Sequence, residues 1–183
     1  MTEHHNTLLI NGKGQGKEGS GHDAFAEVSY ELLNRIRIVD VKVEQNQVVL
    51  RGDATAAYLP ELGLKKFVRD FVYRPGSGFS VTDEVETNTP ADLTWLLHAD
   101  DKIEKGRDNR FTIFAGSTRL LIDPVMEGSK DFKSSIEPND VTAPGPPGAV
   151  DKGERQVRGQ KLVLSTSRPV SKTQFIQRLK IEN

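Results

Sequence analysis

Val39-Asp40-Val41-Lys42-Val43-Glu44-Gln45-Asn46-Gln47-Val48-Val49-Leu50-Arg51-Gly52-Asp53 is the stretch that decides the fold class. Val39, Val41 and Val43 alternate with Asp40, Lys42 and Glu44. Successive side chains of a strand point to opposite faces, so a period of two gives one apolar face and one charged face. Gln45-Asn46-Gln47 interrupts the pattern with turn residues, and Val48-Val49-Leu50 resumes it. The stretch reads as a β-hairpin.

Outward from the hairpin the same signal recurs. Phe67-Val68-Arg69-Asp70-Phe71-Val72-Tyr73 is stopped by Arg74-Pro75-Gly76-Ser77-Gly78, and Phe79, Val81 and Val85 restart the alternation. Proline fixes one backbone angle there and glycine permits positive φ, so the chain can reverse. Further strands are expected at residues 93–98, 110–115, 119–123, 161–166 and 174–181, with a first strand beginning near Thr7. Turn residues separate these runs at intervals of about 8–15 residues, the spacing of a sandwich. The expected fold is therefore all-β, an antiparallel β-sandwich of about 10–12 strands with little helix. Short helical turns are expected where Asp23 precedes Phe25, Val28 and Leu32, and at residues 54–59. Residues 137–153 hold Pro138, Pro144, Pro146 and Pro147 with Gly145, Gly148 and Gly153. Proline has no amide to donate, so this stretch is expected as a surface loop outside the sheets.

Composition excludes several function classes. The 183 residues suit one domain, 1–183, with a sizeable core. Lys and Arg total 25 against 26 Asp and Glu, a net charge of −1 with the signs interleaved. No global field draws the chain to nucleic acid or to an anionic membrane. There is no cysteine, which removes disulfide frameworks, thiolate zinc sites and cysteine nucleophiles. No apolar run reaches the length of a membrane-spanning helix, and residues 1–6 show no signal-peptide pattern.

Four stretches stand out for chemistry. His4-His5-Asn6 leads into Thr7-Leu8-Leu9-Ile10 and then Asn11-Gly12-Lys13-Gly14-Gln15. Adjacent strand residues face opposite ways, so His4 and His5 would not both reach one metal, and a catalytic zinc needs about three protein ligands. The run from Gly12 to Glu18 invites a phosphate-loop reading. It is one residue short, and Glu18 stands where the Mg²⁺-binding hydroxyl belongs. Trp95 and His98 lie three apart on one strand and so face opposite sides, Trp95 toward the core and His98 at the strand end. Gly52-Asp53 precedes Tyr58, which reads as structural, with Asp53 organising a turn.

These stretches, in this order, resemble the heparinase II/III-like polysaccharide lyases. His5-Asn6-Thr7 through Gln15 is similar to that family's "HNT…(D/N)GxGQ" segment, and Gly52 through Tyr58 to its "GDAT.AY" stretch. The Phe67–Asp83 pair of strands and Leu93-Thr94-Trp95-Leu96-Leu97-His98 resemble its "RxVxxxxPxxFxVxDxV" and "WLLH" strands. The resemblance implies that the chain is the C-terminal β-sandwich of a longer enzyme, whose N-terminal α/α toroid and first strands are absent from it. It implies cleavage of a uronic-acid-containing polysaccharide, heparin/heparan-like or alginate-like, by β-elimination. A zinc ion is implied too, with His5 as the one ligand matched and the rest of the ligand set missing. Lys13, Gln15, Trp95 and His98 are the substrate-binding residues carried over. The implied partners are an acidic polysaccharide and the toroid, the implied location periplasmic or secreted. Alone the chain is expected to be inactive and to self-associate through an exposed edge. The alternative is a non-catalytic carbohydrate-binding or structural sandwich module.

Overall fold

The computed structural model describes residues 2–17, 25, 28–128, 131–139, 141–143, 155–157 and 159–182. Fourteen strands among them form two main antiparallel sheets and a two-stranded ribbon. In chain order they are β1 (Leu8–Ile10), β2 (Arg37–Glu44), β3 (Gln47–Asp53), β4 (Leu64–Arg74), β5 (Gly78–Ala91), β6 (Leu93–Ala99) and β7 (Ile103–Lys105). Then follow β8 (Phe111–Ala115), β9 (Thr118–Glu127), β10 (Phe132–Pro138), β11 (Val141–Ala143), β12 (Arg155–Val157), β13 (Gln160–Thr166) and β14 (Val170–Glu182). The large sheet runs β2-β3-β4-β5-β14-β9-β8-β7 and the small one β1-β6-β13-β10. No helix among the described residues is long and apolar enough to cross a membrane.

The opening hairpin is present as β2 and β3, closed between Glu44 and Gln47 and locked by a 2.9 Å side-chain bond between them. Every other strand expected from the alternation is found. The four further strands are of two kinds. Three of the four, β7, β11 and β12, are three residues long, too short for a periodic signal. The fourth, β10, carries Ser134, Ser135 and a terminal proline in place of strong strand formers. The loop expected at 137–153 is corrected in part. Glu137 and Pro138 complete β10 against β13, and β11 lies in the same stretch, paired with β12. Pro138 is tolerated as the last residue of a strand, where little ladder remains to lose. Of the helical turn expected through Phe25, Val28 and Leu32, the Val28 amide donates to the Phe25 carbonyl at 3.0 Å and Leu32 lies in a helix. The helix α1 covers Tyr30–Leu33, and Ser29 caps it by accepting a bond from the Leu32 amide at 3.2 Å. Serine competes well for an N-cap because its hydroxyl replaces a missing helical acceptor. Asp23 lies outside the described residues. Residues Thr55–Ala57 form the expected turn, and Asp53 organises it by accepting from the Thr55 amide at 3.0 Å.

The core lies between the sheets. Leu8, Ile10, Leu93 and Trp95 from the small sheet meet Phe67, Val85, Phe111, Ile122, Phe175 and Leu179 from the large one. The small sheet is half the width of the large one, and β2 and the neighbouring ends of β3 and β4 project beyond it. Two cross-strand rows are set by register there: Val41-Leu50-Phe71-Val81 and Val43-Val48-Tyr73-Phe79. Their outer members remain open to solvent, Val41 at 56% and Val43 at 76%, with Phe71 and Tyr73 also exposed.

Candidate functional site

The N-terminal segment builds the site by folding over the ends of β4 and β6. β1 pairs with β6 so that Leu8 faces Trp95 and Ile10 faces Leu93. The chain then reverses at Asn11 and Gly12, both with positive φ, and Ile10 and Lys13 exchange backbone bonds of 2.9 Å. Asn11 tolerates the left-handed region and Gly12 has no Cβ to clash there. Gly14 has a different reason: a Cβ on it would run into the Thr2 side chain. That close approach lets the Gln15 amide donate to Thr2 Oγ1 at 2.7 Å, while Gln15 Nε2 donates to Thr7 Oγ1 at 3.3 Å. The glycine pattern is thus explained by a tight turn and a backbone contact.

A continuous polar chain runs from the core to the surface. Asp83, fully buried on β5, accepts two bonds from Arg69 of β4, each 2.6 Å. Arg69 Nη1 donates to the Asn6 carbonyl at 2.8 Å. Asn6 Oδ1 in turn accepts from the His98 backbone amide at 2.7 Å and lies 3.2 Å from His98 Nδ1. His98 Nε2 lies 2.8 Å from the Glu3 carbonyl. Burial opposes the Arg69 charge, but the hydrogen bonds and Coulombic pull of Asp83 outweigh it, so its pKa stands above the ordinary value. Burial pushes the His98 imidazole below its ordinary value, against the pull of the Glu3 carbonyl.

Tyr58 is structural. Its hydroxyl donates to the Leu8 carbonyl at 2.6 Å and meets Thr7 Oγ1 at 3.3 Å, anchoring β1 to the turn after β3. Burial drives its pKa up to about 12, so it holds its proton.

A cleft of about 520 Å³ opens between the sheets beside this network, and Asn6, Arg69, Trp95 and His98 are among its lining residues. Of the residues singled out from sequence, Trp95 and His98 are brought to this cleft. Trp95 is buried in the core, and its Nε1 has no hydrogen-bond partner among the described residues. Lys13 is exposed on the turn, Gln15 is half-buried and holds the turn to Thr7, and neither lines the cleft. His5 is exposed, next to the short helical turn Thr2–His4. Among the described residues no cluster of three or more metal-ligating side chains forms, so His5 stands without companions for a zinc site. The described residues around His5 do not by themselves complete a zinc ligand set.

Three members of the network, Asn6, Arg69 and Asp83, carry no role in the sequence reading. A signal for two of them exists. Arg69 sits between Phe67 and Phe71, and Asp83 between Val81 and Val85, at positions where alternation demands an inward apolar residue.

The family model for the heparinase II/III-like C-terminal domain matches residues 1–173. The chain belongs to the heparinase II/III-like C-terminal family. Among solved structures, the heparan sulfate lyase HepC from Pedobacter heparinus is 14% identical with a TM-score of 0.70, covering 100% of this chain. A mutant of that enzyme gives 15% and 0.67, again over 100% of the chain. Heparinase III gives 13% and 0.58 over 96% of it. The chain spans 24% of each HepC structure and 23% of Heparinase III. At these identities the structural likeness shows a shared sandwich fold alone. No curated protein matches the sequence.

Proposed function

We propose that this heparinase II/III-like domain is the C-terminal sandwich of a lyase that cleaves uronic-acid-containing polysaccharides, heparan-like or alginate-like, by β-elimination. The observation that carries the reading is the family match across residues 1–173. In such a reaction a base removes the proton beside the uronate carboxylate and an acid protonates the leaving glycosidic oxygen. The carboxylate must be neutralised for the carbon acid to ionise. Tyr58 is unsuited to the proton transfers, because its proton is committed to Leu8 O. The base and acid are therefore assigned to the remainder of a longer protein, and the isolated chain to inactivity. This domain supplies a wall of the cleft. Lys13, Gln15, Trp95 and His98 are assigned to binding of the anionic sugar; of these Lys13 is exposed, Gln15 and His98 are half-buried and Trp95 is buried. His5 contributes one ligand to a zinc whose other ligands lie outside the described residues. The longer protein is assigned to the periplasm or the exterior, where an acidic polysaccharide is met.

The test is an assay of the whole protein on a panel of acidic and neutral polysaccharides. Ultraviolet absorbance of an unsaturated uronate product should grow with acidic substrates alone. His5→Ala should lower the zinc content measured by elemental analysis. Binding of acidic polysaccharide without cleavage would transfer the assignment to a non-catalytic carbohydrate-binding module. Fractionation that leaves the protein in the cytoplasm would remove the localisation.

A further inference from the structure

The face of the large sheet turned away from the small one carries a groove of about 680 Å³. Alternation decides what points into it. On β14, Phe175, Gln177 and Leu179 are buried toward the core, so Arg178 and Lys180 point outward. Arg178 pairs with Ser80 on one side and Asp123 on the other. Lys180 pairs with Leu121, which pairs with Thr112. Arg74 ends β4 opposite Gly78, and Arg107 and Arg110 flank the entry to β8. The groove lining thus collects five cations against two carboxylates, Asp108 and Asp123, in a chain whose net charge is −1.

The carboxylates do not quench this charge. Asp123 is shared between Arg110 at 3.6 Å and Arg178 at 3.7 Å, both long for an ion pair. Lys180 reaches Glu182 at 3.2 Å, but its side chain remains 63% exposed. Arg74 and Arg107 have no carboxylate partner among the described residues. The groove is held in shape by backbone. Asp108 and Asn109 adopt positive φ in the loop that sets Arg107, and Gly78 lies so close to the Leu179 carbonyl that a Cβ would collide with it.

We propose that this groove binds the carboxylate or sulfate groups of an acidic polysaccharide, as a subsite of the substrate. The inference rests on the lyase reading for the class of ligand, and on the groove itself for the place. Guanidinium groups match carboxylate and sulfate oxygens in fork geometry. Side chains two strands apart on one face are separated by about 10 Å, the scale on which anionic groups recur along a linear acidic glycan. The apolar side chain of Leu121, which pairs with Lys180, suits the C–H face of a sugar ring between the charges.

The experiment titrates this chain, at low ionic strength, with size-defined heparan sulfate oligosaccharides and with uncharged dextran oligosaccharides. Binding of heparan sulfate alone, weakening as salt rises, is expected. The triple variant Arg74→Glu, Arg178→Glu and Lys180→Glu should bind about tenfold more weakly or worse. Asp123→Asn should bind more tightly, because it frees two guanidinium groups while keeping size and shape. The groove is ruled out if both variants bind as the parent does, or if the chain binds no acidic oligosaccharide. Cleavage by the whole protein is scored separately. Binding through the groove without cleavage would sink the lyase reading alone, and cleavage by a whole protein whose groove variants bind normally would sink this inference alone.

Discussion

Arg69 grips Asp83 through two bonds of 2.6 Å, and the carboxylate it holds is wholly shielded from water. Because Arg69 also donates to the Asn6 carbonyl, this ion pair joins the two strands β4 and β5 to the N-terminal segment. Removing one partner strands a charge in the core. Arg69→Met should destabilise the domain by about 3 kcal/mol, and Asp83→Asn by a similar amount, in urea unfolding. The double variant Arg69→Met with Asp83→Leu should recover most of that loss, since no charge is left buried. Single variants that cost less than half a kcal/mol would refute a structural role for the pair.

His98 joins the same network at its surface end. Burial lowers its pKa in the folded state below the ordinary imidazole value of about 6.5. Below that value the unfolded chain takes up a proton that the folded chain resists, so stability present above it is lost as pH falls toward the folded pKa. NMR titration should place the His98 midpoint below the ordinary imidazole value of about 6.5. His98→Gln should flatten the pH dependence of the melting temperature below about pH 6.5. A His98 midpoint above that ordinary value would reverse the sign and end the argument.

What was legible in the sequence follows from period. Val41, Val43 and Val48 announced a hairpin because alternation with charges has no helical reading, and β2 and β3 are there. β11 and β12 went unread because three residues hold no period. The site was half legible. Glycines at 12 and 14 pointed to a turn, but the contact of Gly14 with Thr2 joins residues distant along the chain. Arg69 and Asp83 broke the alternation openly. Only the register of β4 against β5 shows that each break compensates the other.

Gln177 is a break without compensation. It is 1% exposed, and neither its amide nitrogen nor its oxygen has a hydrogen-bond partner among the described residues. Its cross-strand neighbours are Val81 and Pro124, and the pyrrolidine of Pro124 offers no donor. A buried amide left unpaired costs about 1–3 kcal/mol. Gln177→Met keeps the length of the side chain and removes the polar atoms. It should raise stability by about 1 kcal/mol, seen as a higher melting temperature. A lower melting temperature would mean that the amide is satisfied in solution.

The apolar rows beyond the small sheet set the behaviour of the chain in isolation. Ile38, Val41, Val43, Phe71 and Tyr73 are all exposed on the projecting end of the large sheet, and β2 is its edge. An apolar face beside an open backbone edge favours burial against another copy, both by hydrophobic area and by strand pairing. The 183-residue chain should therefore associate as its concentration rises in sedimentation velocity. Val43→Lys with Tyr73→Lys puts charge on the row that register aligns, and should leave a monomer with the same circular dichroism spectrum. These positions are exposed, so the substitutions remove little core packing. A parent chain that stays monomeric at high concentration shows the face to be tolerated by solvent, and the predicted association is then wrong.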